Sequence, residues 1–277
     1  MSERISEGFK DLTPRFELTP DGWVLRCREK EVVIFDDILS LEANFKIAEA
    51  FGITPDDAWK LKMKALEDFP RTLNDLRMLF PAIVGEDENI KLAILALFSL
   101  KLRKPEDRIM GLIIEASNSS GKSYFSKQIL KPLTAIAEDQ VLEFTRITGA
   151  FLERYFAKRN IDRKILFLQE IGAAPYQLHI GLSEGKLKLG YVERRDGEFT
   201  PIEVEAVGTP FLWATTTEWH GSPDLIHRSI VIGLDETEQQ TERIVEFQNR
   251  INSNPIFAEQ FQQFTEGCCK VFKKLWM

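Results

Sequence analysis

Gly121-Lys122-Ser123, directly after the small, polar turn Ala116 to Ser120, is the group of residues best suited to chemistry, and that chemistry is anion binding. Successive backbone N–H groups in such a turn, and the unpaired N–H groups of a following helix, converge on a phosphate with the positive end of the helix dipole behind them. Ser117, Asn118, Ser119, Ser120, Gly121, Lys122, Ser123 and Tyr124 are therefore expected to cradle a nucleotide. The Lys122 ammonium would reach the β- and γ-phosphates of ATP, and the Ser123 hydroxyl would ligate Mg2+. Ala116 stands where the pattern G-x-x-x-x-G-K-[ST] has its first glycine, so the turn must begin without a positive φ.

Hydrolysis needs in addition a carboxylate delivered beside the phosphates from a second strand. Ile165-Leu166-Phe167-Leu168 reads as that strand and ends in Gln169-Glu170, which places Glu170 to orient and deprotonate an attacking water. Gln169 stands where an acidic residue usually holds magnesium through water. Its neutral amide can accept a hydrogen bond from a metal-bound water but adds no charge.

These groups require a particular order of elements. Met110 to Ile114 is an apolar run with β-branched content, and after the loop Tyr124, Phe125, Ile129 and Leu130 recur at helical spacing. Strand, loop, helix is thus predicted. Val141 to Arg146, Lys164 to Leu168, Pro210 to Thr217 and Ser229 to Leu234 read as further strands, with helices at Gly149 to Lys158 and Ala173 to Glu184. Strands alternating with helices predict an α/β fold, a parallel sheet covered on both faces. Upstream, Arg15 to Leu18 and Gly22 to Phe35 predict a hairpin about Pro20-Asp21-Gly22, and Leu41 to Leu66 a helix pair broken at Gly52-Ile53-Thr54-Pro55. That pair has helix-turn-helix spacing, but its second helix opens Pro55-Asp56-Asp57, whose carboxylates would oppose DNA phosphates. A packed helix pair is expected there rather than a DNA reader. Glu86 to Leu102 is an amphipathic helix, and beyond Asp235 the chain reads as helical apart from a break at Asn252 to Pro255.

With 277 residues, 44% apolar and 29% charged, the chain can bury the core of one large domain or two unequal ones. No apolar run has the length of a membrane span and the N-terminus MSERISEGFK is charged, so a cytoplasmic location without membrane contact is expected. Cys27, Cys268 and Cys269 lack paired C-x-x-C spacing, which excludes a zinc ribbon and fits a reducing compartment. A net charge of −7 excludes a generally basic nucleic-acid binder but leaves room for a local basic patch. Residues 186–207 form two alternating runs about Asp196-Gly197, a hairpin signal, and carry Lys186, Lys188, Arg194 and Arg195.

From about Pro81 to Arg250 the chain resembles the AAA+ ATPases, and among them the MCM-like replicative helicases and related plasmid and viral replication ATPases. The carriers are FPAIVGEDENIKLAILALF, the loop ASNSSGKS, the strand ILFLQE, the hairpin insertion before PFLWATTT, and DLIHRSIVIGLDETEQQTERIVEF. The resemblance implies a P-loop fold of AAA+ type: a five-stranded parallel sheet with helices on both faces and a hairpin before the fourth strand. Residues 81–235 would be the ATPase core, 236–277 a helical lid, and 1–80 a small α+β region able to dock a replication protein. Arg228 matches the arginine that reaches a neighbour's γ-phosphate, and Thr216 the polar residue that senses γ-phosphate, although asparagine is usual there. A lid arginine is also implied, with Arg243 and Arg250 both possible. Lys186, Lys188, Arg194 and Arg195 would touch the phosphates of DNA, single-stranded, in the pore of a homo-oligomer, a hexamer. The implied activity is ATP hydrolysis driving a helicase. A non-motor switch acting on a protein partner and a P-loop phosphoryl transferase are the alternatives.

Overall fold

The computed structural model describes residues 14–19, 22–27, 30–34, 41–67, 74–137, 139–145, 147–148, 151, 155, 159–171, 186–195, 198–218 and 223–277. They group into two compact units, one of Met1–Asp87 with Glu238–Met277 and one of Glu88–Thr237. Among the described residues no helix is long and apolar enough to cross a membrane.

In the first unit, β1 (Arg15–Thr19), β2 (Gly22–Cys27) and β3 (Lys30–Ile34) form an antiparallel meander. Trp23 pairs with Leu18 on one side and Ile34 on the other. The single predicted run Gly22 to Phe35 is thereby corrected to two antiparallel strands, separated in the sequence by the charged pair Arg28-Glu29, which lies outside the described residues. Helices α1 (Leu41–Phe51) and α2 (Pro55–Glu67) follow. Gly52, at φ +68°, lets the Ile53 N–H donate to the Ala48 carbonyl at 2.9 Å and close α1. Thr54 then caps α2: the Asp57 N–H donates to its Oγ1 at 3.1 Å, and that hydroxyl donates to the Asp57 carboxylate at 2.8 Å. This bond, with Lys60 behind it, holds the Asp57 carboxyl below the usual carboxylate range. The helix Pro255–Trp276 is capped by Asn254, whose Oδ1 accepts from the Phe257 N–H at 3.1 Å. Its stripe Phe257, Phe264, Cys268, Phe272 and Trp276 is buried, with the Phe272 ring edge-on to Phe80 at 5.3 Å.

The second unit carries α3 (Asp87–Ser99, beginning at the boundary), β4 (Gly111–Glu115), α4 (Lys122–Thr134), β5 (Val141–Phe144), β6 (Ile165–Leu168), β7 (Lys186–Arg195), β8 (Glu198–Val207), β9 (Phe211–Thr216), α5 (Pro223–His227) and β10 (Ser229–Gly233). Five strands form one parallel sheet in the order β10-β4-β9-β6-β5. Its inner strands are buried along their length, which explains why they read as apolar runs rather than alternating ones. Between β6 and β9 in the chain, β7 and β8 pair, among the described residues, only with each other, antiparallel from Lys186↔Val207 to Arg195↔Glu198. Gly208, at φ +108°, brings the chain back to β9 where a Cβ would meet the Asp162 backbone N at 2.3 Å. The Asp162 carboxylate there accepts from the Thr209 N–H at 3.2 Å and from the Arg108 guanidinium at 2.8 Å. The predicted helix Ala173 to Glu184, most of the helix Gly149 to Lys158, and the turns at Pro20-Asp21 and Asp196-Gly197 lie outside the described residues.

Candidate nucleotide site

The loop after β4 is tied down at its first residue. The Ala116 N–H donates to the Thr216 carbonyl at the end of β9, at 3.2 Å. The chain then turns through Ser119 at φ +65° and Gly121 at φ +92°, the latter being the N-cap of α4. A side chain at Gly121 would meet no atom within 4 Å, so it is the backbone conformation that calls for glycine. Ser119 adopts the left-handed conformation without being glycine, at a cost on the order of 1 kcal/mol. Lys122 curls back over the loop, its Nζ donating to the carbonyls of Ala116 at 2.6 Å and Ser117 at 2.5 Å. Ser117, Asn118, Ser119 and Ser123 are exposed. The Ser120 hydroxyl is buried and has no partner among the described residues, an orphan that a phosphate oxygen would satisfy. Tyr124 is half exposed in the first turn of α4, and the burial of its other half raises its phenol pKa. The helix start is fixed from beneath by Ser126, whose Oγ donates to the Lys122 carbonyl at 2.8 Å and accepts from Trp213 Nε1 of β9 at 2.9 Å.

Because all five strands are parallel, the ends of β4, β9 and β6 share one edge of the sheet. β9 lies between the other two, so Glu170 stands roughly 10 Å across the edge from the loop, two strand spacings away, with Thr216 between them. The end of β6 is clamped: the Ile171 N–H donates to the Thr215 carbonyl at 3.0 Å, and the Thr215 hydroxyl donates to the Gln169 carbonyl. Glu170, between the two clamped residues, is exposed. Thr216 is 1% exposed and its hydroxyl donates to the Glu218 carbonyl at 2.7 Å. The Gln169 side-chain amide donates to the Glu143 carboxylate of β5, on the side of β6 away from the loop strand. Among the described residues no group of three or more His, Cys, Asp or Glu side chains could hold a metal. The exposed Ser123 hydroxyl fits a magnesium ion that takes its other ligands from phosphates and water, whereas the Gln169 amide, bonded to Glu143, is turned away from the loop strand.

Arg228 is placed elsewhere. Its carbonyl accepts from the Met110 N–H at 3.2 Å and its exposed guanidinium lies 3.9 Å from the Met110 sulfur. Met110 precedes β4, so Arg228 and the loop are at opposite ends of a five-residue strand, roughly 17 Å apart. Arg243 and Arg250 lie on the helix Glu238–Ser253 of the other unit, where the Arg250 guanidinium sits 4.3 Å from the Phe257 ring centroid. On the hairpin, Arg194 is exposed, whereas the side chains of Lys186, Lys188 and Arg195 lie outside the described residues.

Two residues of the site escaped the sequence reading. Glu236 accepts a hydrogen bond from the Ser117 N–H across 119 positions, a distance at which spacing carries no signal. Glu143 had one: it is the single charged residue in the run Val141-Leu142-Glu143-Phe144.

No family model and no curated protein matches the chain. Among solved structures, similarity is found to a point mutant of RuvB from Thermotoga maritima, 16% identical with a TM-score of 0.43 over 66% of this chain and 54% of that one. A full-length MCM homologue from Methanopyrus kandleri is 16% identical with a TM-score of 0.40, over 84% of this chain and 52% of that one. The chain spans about half the length of each. The strand, loop and helix from Gly111 to Thr134, set in a five-stranded parallel sheet, give the chain an α/β fold of P-loop arrangement.

Proposed function

We propose that this protein hydrolyses ATP and acts on DNA in replication as a ring-forming, MCM-like helicase or translocase of the cytoplasm. The observation that carries the reading is the sheet edge: a glycine-turned loop holding Lys122 at one strand end and Glu170 exposed two strands away. The loop N–H groups and Lys122 bind the β- and γ-phosphates, and Tyr124 borders them. Ser123, and Gln169 through water once its amide leaves Glu143, would hold Mg2+, which would supply charge neutralisation at the phosphates. Glu170 takes a proton from a water whose oxygen bonds to the γ-phosphorus, as the bond from that phosphorus to the bridging oxygen breaks and ADP leaves. Thr216, between the two, reports on the γ-phosphate.

Arg228 stabilises the transferring phosphoryl group of a neighbouring subunit. Its position at the far end of β4 supports action outside its own chain, and a site completed by a neighbour is a physical reason for a homo-oligomer, a hexamer in this reading. The hairpin residues Lys186, Lys188, Arg194 and Arg195 contact DNA phosphates in the pore. Residues 81–235 are then the ATPase core, 236–277 its lid, and 1–80 the docking element for a replication protein.

The test is the ATPase rate with and without single-stranded DNA, alongside the solution mass with and without ATP. DNA-stimulated turnover by a ring is expected. Turnover indifferent to DNA favours a switch acting on a protein partner, and a monomer transferring phosphate to a small molecule favours a phosphoryl transferase.

A further inference from the structure

The hairpin of β7 and β8 is a ribbon roughly 33 Å long that pairs with no third strand among the described residues. Its charge does not suit a purely electrostatic grip. Lys186, Lys188, Arg194 and Arg195 are outnumbered by five acidic residues between positions 193 and 205. What sets its outer end apart is apolar. Arg194 pairs directly with Phe199 and Val192 with Pro201, so the period-two alternation of a strand puts these four side chains on one face. Phe199 is 74% exposed and Val192 58% exposed, and both other residues are exposed as well. Single exposed apolar residues are ordinary on a protein surface, but a Phe, a Val and a Pro adjoining on one face of a free ribbon form a patch. The Arg194 guanidinium lies 5.8 Å from the Phe199 ring centroid, so a fixed cation stands beside an otherwise open aromatic ring.

We propose that this face, with Phe199 as the stacking residue and Arg194 as its neighbouring cation, is a base-stacking site for single-stranded nucleic acid. Every nucleobase offers a π-face to an aromatic ring and arrives with a phosphate that complements an arginine, so one pair serves both without reading sequence. A duplex keeps its bases stacked on each other and offers them poorly, which makes the site selective for unpaired strands. The inference rests on the proposed action on DNA and adds to it a contact with bases rather than phosphates.

The experiment uses the full chain and three labelled probes: a 20-nucleotide oligothymidine, a 20-unit abasic oligomer of the same charge, and a 20-base-pair duplex. Binding is followed by fluorescence anisotropy over a series of salt concentrations. Phe199→Ala should weaken oligothymidine binding roughly tenfold to a hundredfold, leave the slope against salt unchanged, and leave the abasic oligomer bound as before. Phe199→Trp should restore the affinity. Arg194→Ala should instead lower binding of both oligomers and reduce the salt slope by about one unit. Nucleotide affinity and melting temperature should stay at wild-type values, since Phe199 is mostly exposed. If wild type binds oligothymidine and Phe199→Ala binds it equally well, or loses the abasic oligomer to the same degree, this site is overturned while the action on DNA stands. If wild type binds none of the three probes, both readings fall. A change in oligomeric mass on Phe199→Ala without selective loss of oligothymidine assigns the face to contact between copies and overturns the proposal.

Discussion

The backbone N–H of Met110 donates to the carbonyl of Arg228 at 3.2 Å, which pins the arginine to the end of β4 opposite the phosphate loop. Parallel pairing of β10 with β4 then makes the separation a property of the sheet and not of a side-chain rotamer. An arginine so placed stabilises a γ-phosphoryl group only across a subunit interface. Arg228→Ala should therefore bind ATP almost as wild type yet hydrolyse it about a thousandfold more slowly. Mixing it with Glu170→Gln subunits should restore part of the rate, because some interfaces then join an intact Glu170 to an intact Arg228. An absence of recovery in particles shown to contain both variants would count against action in trans.

Lys122 donates to two carbonyls of its own loop, so its charge is held at the turn. If the loop binds ATP as proposed, Lys122→Ala removes the cation that would face the phosphates. ATP affinity, measured calorimetrically, should fall at least about tenfold. An unchanged affinity would refute the assignment of the loop.

Glu170 lies between Gln169 and Ile171, whose backbone hydrogen bonds to Thr215 fix the end of β6, and its exposed carboxylate accepts from no described residue, consistent with one kept for water. Glu170→Gln keeps the shape but cannot take a proton. ATP binding should be retained while turnover falls about a hundredfold to ten-thousandfold. Wild-type turnover would move the base elsewhere, and Glu143, beside Gln169, would be the next carboxylate to replace.

The parallel sheet was legible in the sequence because its strands are short apolar runs closed by small or polar residues: Met110 to Ile114 before the loop, Ile165 to Leu168 before Gln169. Gly121 was legible as the turn residue because the positive φ at the start of α4 favours glycine. The division of Gly22 to Phe35 into β2 and β3 was not, since the sequence between them has no glycine or proline to announce a break. Nor was the direction of Gln169, which depends on the pairing of β5 with β6 rather than on anything near it in the chain. The contact of Glu236 with Ser117 is of the same kind, a consequence of β10 lying beside β4.

The last prediction concerns what holds the loop-bearing helix to the sheet. Ser126 is fully buried, accepting from Trp213 Nε1 at 2.9 Å and donating to the Lys122 carbonyl at 2.8 Å. Ser126→Ala leaves the indole N–H of a fully buried tryptophan without its acceptor, a loss of about 1–3 kcal/mol. Trp213→Phe alone removes the donor but opens a cavity, and should cost at least as much. If the hydrogen bond is what couples the two residues, the double variant should lose less than the sum of the single losses, because no polar group is then left buried and unpaired. Denaturant unfolding of the four proteins measures this directly. Strict additivity would mean that the indole finds another acceptor, and that α4 is held to β9 by packing alone.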